Sequence, residues 1–254
     1  MNLPQVVSRD EWLAARKQLL TREKELTRAR DALNADRRRL PMVLVDKPYR
    51  FQGPDGEVGL LDLFDGSRQL IVQHTMWLAD DDRICPGCTA GVDELSDGII
   101  AHLRARDTNF VLIARGPLAD LQRYQAERGW TIPMYSSLDT DFNYDYQASF
   151  TPEQIAKGKV EYNFDLVEFP SAEGPGISVF YKDKDGNIFH TYSAYARGSE
   201  NTINTYNYLD YVPKGRDEDR LPFTMAWLRH HDRYEDRRLA DADRPYWPKV
   251  ALEA

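Results

Sequence analysis

The spacing of hydrophobic and polar positions changes several times along this chain, and each change marks a predicted element. Residues 8–34 read as a charged helix. Ser8 is placed to cap it, and Glu11, three residues on, completes a capping box. Trp12, Leu19, Leu26 and Leu33 then recur every seven residues. That seam has two readings: it packs on the chain's own domain, the more economical one, or it pairs with a second chain. Pro41 ends the region. Two extended runs then flank Gly53-Pro54-Asp55-Gly56, a hairpin signal. Residues 69–75 read as a buried strand, and an acidic irregular loop, 77–84, follows. Val92, Leu95, Ile99 and Leu103 restore helical spacing, which predicts a helix over 88–106. A fully apolar strand over 109–114, a helix over 117–128 begun by Pro117, and an extended segment over 130–135 come next.

The segment 139–170 is polar, aromatic and weakly periodic. It reads as an insertion with short helical pieces, such as 152–157. Its Phe142, Tyr144, Tyr146 and Phe150 either line a groove or form a small core. Two further strands, 177–181 and 188–192, flank a Lys-Asp-Lys-Asp-Gly-Asn turn. A helix over 199–211, with Ile203, Tyr206 and Leu209 inward, closes the domain. After Pro213 the chain is charged and reads as a surface tail anchored by Trp227 and Trp247. Strands alternating with helices make the class α/β, and the closing antiparallel hairpin makes the sheet mixed. The expected organisation is an N-terminal helical extension (1–40), one domain (41–212) and a C-terminal tail (213–254).

Composition narrows the function classes. The 33 basic side chains are outnumbered by 41 acidic ones, for a formal charge of −8, which argues against a nucleic-acid partner. The triplet Arg37-Arg38-Arg39 is too short to reverse that. No stretch approaches the length needed to span a bilayer. Charged residues interrupt positions 1–17, so no signal peptide is read there and the expected location is cytoplasmic.

The chemistry concentrates in the two cysteines, Cys85-Pro86-Gly87-Cys88. Two cysteines placed at random in such a chain fall three apart roughly once in a hundred times. Here they stand where a loop enters a helix, and the free N–H groups of a helix N-terminus favour a thiolate over a thiol. The thiolate is the form that attacks a disulfide. A second cysteine one turn on can then resolve the mixed disulfide. This assigns Cys85 as attacking sulfur and Cys88 as resolver, acting on a disulfide-containing protein or small molecule, with no bound cofactor or metal. Two alternatives stand beside it. The pair is half of a metal site, completed by His74, His102, His190, His230, His231 or carboxylates, none of which forms a second such pair. Or it is two inert buried thiols.

The order of elements, with a cysteine pair opening a helix after a central strand, resembles the thioredoxin superfamily. The first hairpin resembles its peroxiredoxin branch. More closely, the chain resembles the thioredoxin-like family called domain of unknown function 899. The resemblance rests on Cys85-Pro86-Gly87-Cys88-Thr89, Ser178-Val179-Phe180-Tyr181, the run from His190 to Gly198, Leu209-Asp210, and Pro213-Lys214-Gly215-Arg216. It implies a thioredoxin-like fold more firmly than any substrate. The chain also departs from these patterns. Ile84 stands where thioredoxins carry a Trp, and Trp77 is the nearest indole. Leu78 and Asp82 stand where peroxiredoxins carry the Pro and Thr that precede their reactive cysteine, which counts against a peroxidase. Pro175 is the nearest counterpart of the thioredoxin cis-proline, with Gly176 intervening.

Four residues are candidate supports for the pair: Trp77 beside the loop, Arg83 as a charge that offsets Asp80-Asp81-Asp82, Pro175, and His190 as a hydrogen-bonding or proton-accepting group. For His190 a purely structural role is the simpler expectation. A non-catalytic binding module on the same fold remains the alternative from a different class, and a homodimer through the first helix is a possible assembly.

Overall fold

The computed structural model describes residues 4–81 and 83–234. The first helix, α1 (Arg9–Arg37), begins at the capping box read from sequence: Ser8 Oγ accepts from the Glu11 N–H, and Glu11 Oε2 accepts from the Ser8 N–H at 2.9 Å. No residue of α1 is buried, which corrects the reading that its seam packs on the chain's own domain. The helix meets the domain near its C-terminal end, where the Arg37 guanidinium lies 4.9 Å over the Tyr192 ring.

The strands in chain order are β1 (Val43–Leu44), β2 (Arg50–Gly53), β3 (Gly56–Gly59), β4 (Gln69–Thr75), β5 (Trp77–Leu78), β6 (Arg83–Ile84), β7 (Thr108–Ala114), β8 (Met134–Ser136), β9 (Val160–Tyr162), β10 (Asp165–Val167), β11 (Gly176–Lys182) and β12 (Ile188–Tyr195). Eight of them form one sheet in the order β1-β12-β11-β4-β7-β8-β2-β3. The pairings β4·β7 and β7·β8 are parallel, and the others are antiparallel. The remaining helices are α2 (Pro86–Asp93), α3 (Asp97–Arg104), α4 (Leu118–Arg128), α5 (Phe142–Asp145), α6 (Pro152–Ala156) and α7 (Asn204–Leu209). The mixed sheet with its flanking helices and N-terminal helix makes the class α/β, as expected.

Strand alternation divides the core into two. Leu70, Val72, Val111 and Ile113 point to one face, where they meet Phe51, Phe64, Phe142, Tyr146 and Phe180. Phe110, Leu112 and Ala114 point to the other, where they meet Trp77, both cysteines, Val92, Leu121 and Tyr124. Every residue of β7 is buried, as expected of a strand covered on both faces.

Four expectations need correction. The helix expected over 88–106 is two helices. Ser96 adopts an extended conformation and its side chain caps α3 through the Ile99 N–H, which ends the α2 direction. The helix expected over 199–211 is a 3-10 segment, Ala196–Thr202, followed by the short α7, with Tyr206 buried and Ile203 and Leu209 half-buried. The four aromatics of 139–170 do not act together: Phe142 and Tyr146 enter the first core, Phe150 joins Val160, Tyr162 and Tyr195, and Tyr144 lies under Arg115. That segment also contains the β9–β10 hairpin, which its weak periodicity hid. The last correction concerns the C-terminal tail. Ala226, Leu228, Arg229 and His230 are buried rather than on the surface, while Trp247 lies outside the described residues.

Candidate functional site

β4 delivers the chain to the cysteines. After Thr75, a small hairpin pairs β5 with β6, and the Cys85 N–H returns to the Met76 carbonyl at 3.0 Å. Cys85 is the N-cap of α2. Pro86 in the first turn needs no partner for an N–H, and the Thr89 N–H closes the turn on the Cys85 carbonyl at 2.9 Å. Both cysteines are free thiols, 3% and 6% exposed, and lie 4.3 Å apart.

Their surroundings treat them differently. Burial pushes the Cys85 thiol up. The neighbouring Cys88 thiol, the N–H groups of Cys88 and Gly87 at the helix start, and the charge of Arg83 outweigh that push and bring Cys85 below the ordinary thiol range. Contact with the Cys85 sulfur, then burial, then the Cys85 charge raise Cys88 well above it. Of the two sulfurs, Cys85 is the one whose thiolate these surroundings favour.

Trp77 and Arg83 both stand at this site. Trp77 is the direct cross-strand partner of Ile84, so the indole reaches from across the hairpin the place beside the first cysteine. Its ring fills the space over Gly116, where an added Cβ would come within 2.6 Å of Trp77 Cγ. Arg83 pairs with Asp81 at 3.3 Å. Asp82 lies outside the described residues.

The sequence reading missed a hydrogen-bonded chain behind α2. Thr89 Oγ1 meets Tyr124 OH at 3.0 Å, and Tyr124 OH meets His230 Nε2 at 3.1 Å. Beside it, Asp93 accepts from Trp130 Nε1 at 2.8 Å and pairs with His231 Nδ1 at 2.7 Å, and Arg128 pairs with Asp232. Burial is the main reason that the His230 pKa falls to about 4, so the imidazole is neutral at neutral pH. Tyr124 was readable one helical turn after Leu121. No local signal brings His230 to it across 106 positions.

Pro175 immediately precedes β11, whose first residue pairs with His74 at the end of β4. No described peptide bond is cis, so the cis-proline expectation does not apply to Pro175. Its carbonyl accepts from Tyr162 OH at 2.7 Å. Burial raises the Tyr162 hydroxyl, the Ala196 N–H lowers it, and the Cys88 charge adds a smaller upward push. Glu173, two residues earlier, is buried, accepts from Ser149 Oγ at 2.8 Å, and has the Arg115 guanidinium at 3.9 Å. Burial dominates and raises its pKa to about 8.

A pH effect on stability follows. The unfolded chain releases the Glu173 proton near 4.5, while the folded one holds it to about 8. Between those values the native state binds more protons, so stability falls as pH rises. Urea midpoints at pH 5 and pH 8 check this. The wild-type midpoint is expected to drop between them, and that of Glu173→Gln to drop much less.

His190 is not brought to the cysteines. It pairs across the sheet with Phe180, which pairs with Leu70, five residues before the end of β4 and so about 17 Å from it along the strand. Its ring packs with Tyr146 and Phe180 on the opposite face, and Nε2 meets Ser193 Oγ at 2.8 Å. Ser193 in turn reaches Ser178 (3.0 Å) and His74 (Ser178 to His74, 2.9 Å). Burial lowers the His74 pKa to about 4. These histidines form an internal network in the sheet. Among the described residues, no group of three or more His, Cys, Asp and Glu side chains is placed to hold a metal ion. No helix among them is long and apolar enough to cross a membrane.

No curated protein matches the chain. Solved structures similar to it include a mutant of Xanthomonas campestris peroxiredoxin Q (10% identity, 67% of this chain and 97% of that one, TM-score 0.45). Others are the peroxidoxin BcpB of Mycobacterium tuberculosis (13%, 65% and 95%, 0.42) and a putative thiol:disulfide interchange protein DsbE of Chlorobium tepidum (10%, 66% and 94%, 0.38). At such identities the likeness says nothing about activity. Residues 1–234 match the family described as a bacterial protein of unknown function, DUF899, and the chain belongs to that family.

Proposed function

We propose that this protein is a thiol-disulfide oxidoreductase in which Cys85 attacks and Cys88 resolves. The observation that carries the reading is the position of Cys85 as N-cap of α2, with the Gly87 and Cys88 N–H groups and the Arg83 charge favouring its thiolate while Cys88 stays protonated. In the first step the Cys85 thiolate attacks a substrate disulfide, forms a Cys85–substrate bond and expels one substrate thiolate. In the second, Cys88 gives its proton to that outgoing thiolate and attacks Cys85 Sγ, forming the Cys85–Cys88 disulfide and expelling the second substrate sulfur as a thiolate, which takes its proton from water. Two electrons pass from the dithiol to the substrate, and an external thiol reductant restores the pair.

The substrate class is a disulfide of a protein or small molecule. A groove of about 340 Å³ between α2 and the C-terminal segment, lined by Ala90, Glu94, Tyr206, Trp227 and Leu228, lies one to two turns beyond Cys88 and offers such a substrate a mainly apolar footing. A reducing compartment, the cytoplasm, suits a pair that works as a dithiol.

The test is alkylation with iodoacetamide as a function of pH, followed by peptide mass spectrometry. Cys85 is expected to react with a midpoint below that of an ordinary thiol, and Cys88 to remain unreactive in the same window. Disulfide reductase activity is expected to vanish in Cys85→Ser. Activity unchanged in that variant would refute the reading.

A further inference from the structure

We propose that two copies of this chain pair through α1 in a parallel two-stranded coiled coil. The helix extends over 29 residues, about 43 Å, without burying one of them. Trp12, Leu19, Leu26 and Leu33 stand 48–71% exposed in a single row, and Leu13 and Leu20 widen it. A strict seven-residue repeat keeps such a row facing one partner only if the two helices supercoil left-handedly. The row continues past the helix into exposed Leu40 and Met42 and into β1, an edge strand whose Val43 and Leu44 are both exposed.

The charges say what covers the row. With Trp12, Leu19, Leu26 and Leu33 at a, the d positions are Ala15, Arg22, Ala29 and Asp36. The e positions are Arg16, Glu23, Arg30 and Arg37, and the g positions Glu11, Gln18, Glu25 and Ala32. In a parallel pair each g residue meets the e residue five positions on in the other chain. Glu11 then meets the partner's Arg16, and Glu25 meets the partner's Arg30, and no e–g pair joins like charges. Arg22, the charge inside the seam, faces the partner's Arg22 and lies beside the partner's Glu23, which offsets that contact. Asp36 is already paired with Arg39 at the helix end.

An antiparallel pair in the register that overlaps all four layers sets Arg16 against the partner's Arg30, Glu23 against the partner's Glu23, and Glu25 against the partner's Glu25. The surface is thus complementary to itself in one orientation, the requirement of a two-fold symmetric interface. Arg16 and Glu23 already pair at 2.9 Å along the e edge, so both side chains are held beside the seam before a partner arrives. Ala15 and Ala29 at d let the helices approach closely.

Light scattering on the full chain after size-exclusion chromatography, over a range of concentrations, tests this. The wild type is expected at twice the chain mass at high concentration. Leu19→Glu/Leu26→Glu is expected at the chain mass throughout and still folded, because neither residue is buried in the single chain. Glu25→Arg is expected to weaken association about tenfold by turning two attractive contacts repulsive, and Glu25→Arg/Arg30→Glu to restore it. In the antiparallel arrangement Glu25→Arg would leave association unchanged. A wild type that stays at the chain mass, a leucine variant that still dimerises, or a charge swap that fails to restore would each overturn the proposal.

Discussion

A Cys88→Ser variant is expected to stop after the first half-reaction and to hold its substrate covalently through Cys85. The reason lies in the division of labour between the two sulfurs. Cys85 keeps the helix-start N–H groups and the Arg83 charge that favour its thiolate, so attack on a disulfide survives the substitution. Serine at position 88 retains a hydroxyl but no competent nucleophile, so the mixed disulfide has no internal route to release. With a small aromatic disulfide that liberates a coloured thiolate, the wild type should turn over continuously in the presence of a reductant too weak to cleave the mixed disulfide quickly. The variant should release one equivalent and then fall to background. Mass spectrometry without reductant should find the adduct on Cys85. The substitution also removes the Cys88 thiol from beside Cys85, one of the contributions that lower its pKa, so the first step should need a somewhat higher pH. Continued turnover by the variant would remove Cys88 from the mechanism.

The second large effect concerns folding. Phe142→Ala is expected to destabilise the protein by about 3–5 kcal/mol, a large part of the about 5–15 kcal/mol typical of a folded domain. Phe142 is fully buried and packs edge-on to Tyr49 and Phe51, 5.0 and 4.9 Å between ring centres, with Tyr146 at 4.7 Å and His74 stacked at 5.6 Å. Alanine would leave a cavity in a cluster whose members come from well-separated parts of the chain, which cannot close together around it. Chemical denaturation checks the value. A loss below about 1 kcal/mol would mean that the segment around Phe142 is an appendage rather than part of the core.

These two residues also show what the sequence makes legible. The cysteine pair was readable because its chemistry depends on spacing along one helix turn, and the capping box of α1 and both hairpin turns depend on equally local rules. Phe142 was readable as one of four aromatics that line a groove or form a small core of their own, and not as part of the main core. It sits in a four-residue helix with no apolar period, and its partners are fixed by tertiary packing. The break between α2 and α3 carried a local signal, Ser96 before Asp97, which the helical spacing of Val92, Leu95, Ile99 and Leu103 overrode. For the candidate site, Trp77 and Arg83 were legible as neighbours in sequence, although the register that puts Trp77 opposite Ile84 was not. His190 was drawn in by residue type alone, and strand register places it on the other face of the sheet. Thr89, Tyr124 and His230 form a contact between α2, α4 and the C-terminal segment, and nothing local announces a contact over that separation.

Exchange of Cys85 and Cys88 between dithiol and disulfide can be followed by equilibrating the purified protein against a glutathione series, trapping free thiols and locating the bond by mass spectrometry. A reversible two-electron transition with a single midpoint and one intramolecular Cys85–Cys88 bond is expected. Two thiols that stay reduced across the whole series would contradict it and leave a binding module built on a thioredoxin-like fold.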